Sequence, residues 1–356
     1  MGFPPALTES QLVNFGQFRT LSACALVALA AAVPVAAQHL TLEGQTGGFI
    51  TPTAYVVYTD KGQVFSHPSV GYHMINATTV IGRIQTFSIT EGIANRAEVG
   101  YTRSYHTLGN ATSAASGALS DLWNSNGMNI FHGKAVVFKD GQFGPAMPGV
   151  AVGGIVRTDD SFVSSAVDKL YLGGTGAAHS NGDVYVAVTK TWAKKPVPFL
   201  ANFGWKATNA TIFGIGGQST RFGGRFFGGL GFPLPLGHGI VAVPSAGFTQ
   251  EPKTAVNLNT LLNLARTGLV TQVPAAAPAY PLMSAHLPTT LDYAVRVTQR
   301  EHPHFSIDIG VGQVAGNIGS IYVANPYYPA VGGPIVTSPV NLQARKVLGM
   351  GLSYRY

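Results

Sequence analysis

Charge is what this sequence has least of. Only 10% of its 356 residues are Asp, Glu, Lys or Arg, against about a quarter in soluble globular domains, which excludes a surface made for water on all sides. Cysteine is nearly absent as well. Cys24 is the only one, so no internal disulfide can form, and stability has to come from burial or from a closed hydrogen-bonded framework. Leu21-Ser22-Ala23-Cys24 ends like a lipobox, but the apolar region follows the cysteine instead of preceding it, which argues against a lipid anchor. After residue 38 there is no long apolar run, so a mature chain that enters a membrane does so as strands.

Familiar chemistry is also missing. The net charge of +7, with a pI near 9.4, is spread without a Lys/Arg run or an aromatic recognition motif, which excludes nucleic acid as a partner. None of the ten histidines falls in H-E-x-x-H spacing. The only close pair, His302-Pro303-His304, reads as a solvated turn, and no metal is expected. Gly310-Val311-Gly312-Gln313-Val314-Ala315 spells G-x-G-x-x-A, yet no amphipathic helix follows to hold a pyrophosphate, so no cofactor is expected. Asp159-Asp160, Ser125-Asn126-Gly127 and Ser180-Asn181-Gly182 read as loop and turn residues. The chain is not expected to be an enzyme, with a rim hydrolase as the remote alternative.

What is present is glycine, 44 residues, and aromatics at 10%, the materials of compact turns, small lumen-facing positions and interfacial girdles. Residues 1–37 read as a signal peptide: Arg19 precedes the apolar run Leu21 to Ala37, and Val35 and Ala37 suit a peptidase, placing the mature start near Gln38. Residues 38–62 form an N-terminal segment around Gly47-Gly48-Phe49-Ile50-Thr51-Pro52-Thr53-Ala54, either a lumen plug or an extra strand. Residues 63–356 form the main domain.

There the dominant signal has a period of two, which places alternate side chains on opposite faces of a strand. At the C-terminus Leu348, Met350, Leu352, Tyr354 and Tyr356 alternate with Gly349, Gly351, Ser353 and Arg355. The same alternation runs through Ile93 to His106, Met128 to Phe138, Phe199 to Ala207, Thr290 to Thr298 and Phe305 to Val311. Weaker versions occur at Gln63 to Met74, Thr78 to Thr90, Pro148 to Arg157, Val184 to Trp192, Arg221 to Phe232 and Gly239 to Gln250. About twelve strands follow, each near the length that crosses an outer membrane. Val256 to Leu269 instead sets Leu258, Leu261, Leu262, Ala265 and Leu269 on one helical face and reads as a loop helix at the barrel mouth.

Connection lengths separate a barrel from a sandwich. Tight turns at Glu91-Gly92, Asp140-Gly141, Ala193 to Pro198, Leu234 to His238 and Arg300 to His304 alternate with long stretches, Thr107 to Gly127, Thr158 to Gly182, Thr208 to Thr220, Glu251 to Leu287 and Ala315 to Asn341. Short periplasmic turns and long extracellular loops do this in an all-β, antiparallel, up-and-down transmembrane barrel; a sandwich has no reason to. The inward faces then carry Arg96, Lys134, Lys206, Arg225, Arg296, Arg345 and Arg355 against Glu98, Asp292 and Asp308. This basic excess sets an anion preference if the lumen is open and unpaired, and knits strands together if it is paired.

The pattern as a whole resembles the bacterial outer-membrane β-barrel superfamily. The ending Gly351-Leu352-Ser353-Tyr354-Arg355-Tyr356 resembles the C-terminal signal read by barrel-assembly machinery, with Met350, Leu352, Tyr354 and Tyr356 as its apolar face and Tyr356 where Phe is usual. The run Glu91 to Tyr101 is similar to transporter-like barrels of aromatic-degradation operons, the MetA-pathway type; Gly48 to Ala54 resembles a segment of YjbH-like, exopolysaccharide-associated barrels. The resemblance implies an outer-membrane location, lipid and the assembly machinery as partners, and a channel or transporter for small solutes, or else a structural or assembly barrel of the cell envelope.

Overall fold

The computed structural model describes residues 39–77, 82–107, 126–159, 180–193, 197–210, 218–250, 254–256, 283–285, 289–299, 305–315, 320–324, 337–341 and 346–355. Twelve long antiparallel strands close on themselves: β1 (Ser69–Ala77), β2 (Gly82–Ile93), β3 (Ala97–Thr107), β4 (Asn126–Phe138), β5 (Gly149–Asp159), β6 (Ser180–Trp192), β7 (Phe199–Ala210), β8 (Gln218–Gly231), β9 (Ile240–Gln250), β10 (Thr289–Gln299), β11 (Phe305–Ala315) and β12 (Lys346–Arg355). Each pairs with its neighbours in sequence. β12 then pairs with β1 from Ser69↔Arg355 to Asn76↔Leu348, which leaves the cylinder without an open edge. The up-and-down barrel expected from the period-two pattern is the observed fold, and each proposed strand overlaps one of these twelve.

The alternation sorts side chains as the pattern requires. Along β10, Asp292, Ala294, Arg296 and Thr298 are buried while Tyr293, Val295 and Val297 are exposed. Phe87, Ile89, Phe131, Val156, Val184, Phe203, Phe226, Ile309 and Leu348 also face outward. A continuous apolar exterior of this kind belongs in hydrocarbon, where no surface water has to be ordered around it. Near the barrel end that carries Ser69 and Arg355, the outer rings cluster: Trp192 stacks on Phe199 at 4.4 Å between centroids, Phe199 meets Phe232, and Phe138 meets Phe143. Amphipathic and aromatic rings suit a membrane–water boundary.

Three local expectations are corrected. Glu91-Gly92 is not a turn but the end of β2, and the chain reverses at residues 94–96, where Ala94 and Asn95 take positive φ of 51° and 54°. Gly92 is needed within the strand for a different reason: a Cβ there would land on the Val57 carbonyl oxygen. Ser180-Asn181-Gly182 begins β6 instead of turning. Leu234–Gly237 is a short strand folded back on β9 through Gly237-His238-Gly239, all three at positive φ. Gly310–Ala315, the apparent dinucleotide fingerprint, lies on β11. The loop helix proposed from Val256 onward, His302-Pro303-His304 and the signal peptide lie outside the described residues, apart from Val256, which ends a three-residue strand.

Candidate functional site

Residues 39–59 do not extend the sheet. Their partners lie on the inward faces of β1–β7 and β10–β12, so the segment occupies the lumen. It is folded on itself: Thr41 N–H donates to the Gln45 carbonyl, Leu42 N–H to that of Phe49 and Gly47 N–H to that of His39. Gly44, at φ 92°, makes the tight reversal beside Thr102, where a side chain would collide. Most of the segment is buried, with Tyr58 exposed at its end, and Leu40, Thr41, Gln45, Thr46, Val57 and Thr59 are fully enclosed.

Polar contacts hold it. On β3 the Glu98 carboxylate accepts the N–H groups of Thr46 (2.9 Å) and Val57 (3.0 Å) and the Thr46 hydroxyl (2.5 Å), and pairs with Lys134 of β4 at 3.0 Å. Lys134 in turn donates to the Thr46 carbonyl at 2.9 Å. Arg157 of β5 spans from plug to wall: Nε reaches Glu43 at 2.6 Å and Nη2 reaches Asp183 of β6 at 2.7 Å, while Nη1 donates to Asn181. Such charges are tolerated inside only because each is paired and hydrogen-bonded. Hydroxyls and amides complete the ring: Thr90 donates to the Gly44 carbonyl, Thr102 to that of Glu43, Asn202 to that of Pro52, and Thr189 accepts the Ala54 N–H.

On the other side, Arg296 of β10 donates to the Gly47 carbonyl and pairs with Asp308 of β11 at 3.1 Å, and His39 lies 2.7 Å from the second Asp308 oxygen. Burial, reinforced by the Arg296 cation, holds the His39 imidazole below its usual pKa against the opposing pull of Asp308. At the rim Asp60 pairs with Arg355, and the Tyr55 hydroxyl donates to Asp140, whose other oxygen pairs with Lys190. Where the segment passes β8 and β9, small residues such as Gly229, Gly231, Ser245 and Gly247 predominate. A gap remains there, bordered by Gly47, Thr51, Gly229, Gly231, Gly247 and Asp292, and Asp292 Oδ1 has no hydrogen-bond partner among the described residues. Farther along the lumen, the wall side chains Met128, Ile130, Ile155, Tyr185 and Phe227 form an apolar cluster.

A family model matches residues 36–225, from the lumen segment into β8. The chain belongs to the DUF3034 family, described as proteins of unknown function. The matched stretch includes Glu43, Glu98, Lys134 and Arg157, the plug and its anchors on one side of the barrel. No curated protein matches the chain. Among solved structures it is similar to the KdgM porin (7% identity, TM-score 0.40, covering 81% of this chain and 99% of the porin). It is likewise similar to the NanC porin (8%, 0.40, 81% and 100%) and to LpxR from Salmonella typhimurium (6%, 0.41, 81% and 100%).

Of the residues the sequence assigned to the lumen, Glu98, Lys134, Lys206, Asp292, Arg296, Asp308 and Arg355 lie buried on the inward face. Arg225 shares the inward register of Phe227 and lies opposite Lys206 on β7, half-buried. Arg96 is a correction. It sits exposed in the turn before β3 and donates to Gln142, because the strand ends one residue short of it and parity no longer applies. Arg345 and Tyr356 lie outside the described residues; Met350, Leu352 and Tyr354 line the outer face of β12. The sequence reading missed Arg157, Asp183, His39 and His73. For Arg157 the signal existed, since it shares parity with Ala151, Gly153 and Ile155 on a strand whose faces were left unassigned.

Proposed function

We propose that this chain is an outer-membrane channel or transporter for small solutes that is closed at rest by residues 39–59 and opens when they are displaced. One observation carries the reading: the contacts that anchor the segment to β3–β7, β10 and β11 are ion pairs and hydrogen bonds, with one apolar patch where Leu42, Phe49 and Ile50 meet Ile75, Ile84 and Ala294. An interface of that kind can exchange its partners for water when the segment moves, whereas an apolar one would expose surface that water rejects. With the segment withdrawn, the wall presents Lys134, Arg157, Lys206, Arg225, Arg296 and Arg355 against Glu98, Asp183, Asp292 and Asp308. That basic balance supports an anion preference in the open state, since a low-dielectric wall focuses the field of its charges.

A specific feature favours the second reading, a structural or assembly barrel of the envelope: the apolar cluster from Met128 to Phe227 fills lumen that the segment leaves. The two barrel types that the sequence resembles divide along the same line, aromatic-degradation transporters on one side and exopolysaccharide-associated barrels on the other. Planar-bilayer recording separates them. The full chain is expected to be nearly silent, and deletion of residues 39–59 to give stable, anion-preferring conductance. A deletion variant that still shows the heat-dependent gel shift of a folded barrel but stays silent would move the assignment to the structural role.

For biogenesis we infer that the apolar face Met350, Leu352, Tyr354 and Tyr356 is read by the assembly machinery. Deleting Tyr354 to Tyr356 is expected to lower the outer-membrane level severalfold. Unchanged abundance in membrane fractions would remove that role.

A further inference from the structure

Four adjacent strands place their inward residues in one register row: Arg296 of β10 opposite Asp308 of β11, Asp308 opposite Gly351 of β12, and Gly351 opposite His73 of β1. Gly351 makes a notch in the middle of the row, and the His73 ring lies across it, where any Cβ would collide. His39, the first described residue of the lumen segment, drops into this notch. Its Nε2 lies 2.7 Å from Asp308 Oδ2 and 3.5 Å from His73 Nε2. All three side chains are buried, and one ligating atom from each lies within 4.8 Å of the others.

The contacts are poor as hydrogen bonds and good as a ligand set. Despite its short approach to His39, Asp308 Oδ2 lacks a hydrogen bond of acceptable geometry. Two imidazole nitrogens facing each other at 3.5 Å satisfy each other only if one carries a proton and the other does not. Ligands about 2.0–2.2 Å from a tetrahedral zinc ion are roughly 3.3 Å apart; the histidine pair at 3.5 Å already has that spacing, the His39–Asp308 pair needs to open by about half an ångström, and no pair of the three exceeds 4.8 Å. The surroundings also fit. Ser306 and Ser353 hydroxyls lie 3.3 and 3.2 Å from His39 Nδ1, able to accept its proton and leave Nε2 as the donor atom, and Arg296 holds the other Asp308 oxygen. Outer partners of this type orient metal-bound imidazole and carboxylate.

We propose that His39, His73 and Asp308 form a binding site for one divalent transition-metal ion of the zinc class, which ties the lumen segment to β1 and β11. A serine–histidine–aspartate hydrolase reading of the same residues is weaker, because Ser306 and Ser353 are 8% and 4% exposed and the gap beside β8 and β9 is lined by neither. The site stands independently of whether the barrel conducts; only its consequence, a metal-dependent latch, rests on the gating reading.

The test uses the untagged full chain, stripped of metal in detergent. Titration with Zn2+ is expected to give one site per chain, and Co2+ to give the visible absorption of a low-coordinate nitrogen–oxygen site. His39→Ala and His73→Ala should each weaken binding roughly a hundredfold or more; the double change Ser306→Ala/Ser353→Ala should weaken it about 10–100-fold, as loss of outer-shell partners does. His238→Ala, at an exposed turn, should leave it unchanged. Because loss of a ligand can also disturb folding, each variant is first checked for the heat-dependent gel shift, and His73→Gln supplies a second, milder variant. Stoichiometric binding that survives both His39→Ala and His73→Ala, or no binding to the folded wild-type chain, overturns the site. Conductance enters neither readout, so a barrel that is permanently silent or permanently open leaves this result intact.

Discussion

The two sides of the lumen are built differently. Toward β3–β5 and β10–β12, the inserted segment meets Glu98, Lys134, Arg157, Arg296 and Asp308, each engaged in an ion pair. Toward β8 and β9 the wall offers Gly229, Gly231, Ser245 and Gly247, and a gap takes the place of contacts. The segment is therefore clamped from two directions and unsupported from a third. Any partial displacement should begin by widening the β8–β9 side, because among the described residues no charge pair joins the segment to those strands.

The largest effect should come from the clamp. Glu98→Ala strands Lys134 without its carboxylate and removes the acceptor of three donors from Thr46 and Val57. Breaking one partner of a buried pair costs about 3–5 kcal/mol, and urea unfolding in detergent should register a loss of that size. Bilayer recordings of the same variant should show intermittent openings that the wild-type chain lacks. A stable, silent Glu98→Ala barrel would mean that the clamp is not what keeps the segment in place.

A medium effect should separate two glycines. At Gly351 an added methyl collides with the His73 ring, whereas at Gly231 it meets only Val243 and Ser245 at ordinary contact distance. Overpacking costs about 1–3 kcal/mol, so Gly351→Ala should fall in that range and Gly231→Ala close to zero. Equal losses at both positions would show that the gap is as tightly filled as the clamped side.

The barrel was legible because its signal is local. A period of two, repeated in twelve segments between alternating short and long connections, needs no knowledge of which residues touch. Ends were less legible, as at Arg96, where a side chain follows its strand's parity only while the strand lasts. The site was illegible for a stronger reason. Residues 39–59 have no period, and their partners lie far away in sequence: His39 meets Ser306, Glu43 meets Arg157, and Gly47 meets Arg296. Inward charges such as Glu98 and Lys134 could be assigned to a face, but parity says nothing about whether their partner is the neighbouring strand, water or an inserted segment. Parity gives the wall a basic excess, but it cannot show that Asp60, just past the inserted segment, faces Arg355, or that Glu43 within it faces Arg157, a residue the pattern left unassigned.

The smallest effect should come from Asp292, and it tests the comparison most sharply. Asp292 and Asp308 are both buried carboxylates on adjacent strands, at 4% and 1% exposure, yet one faces the gap and the other the clamp. Asp308 accepts from Arg296 and approaches His39; Asp292 Oδ1 has no partner among the described residues and lies over Gly247, at the border of the gap. Replacing aspartate by asparagine keeps the shape and removes the charge, so the two substitutions differ only in what that charge was engaging. Asp308→Asn should cost about 3–5 kcal/mol because it removes the buried charge that Arg296 and His39 both engage. Asp292→Asn should be neutral or stabilising by up to about 1 kcal/mol, since it removes a buried charge that has no ion-pair partner among the described residues. In a background lacking residues 39–59, Asp292→Asn should also move the reversal potential toward stronger anion preference, because it removes one of the wall's few negative charges. Equal destabilisation by the two asparagines, with no movement of the reversal potential, would place Asp292 in the clamp and leave the lumen without an unsupported side.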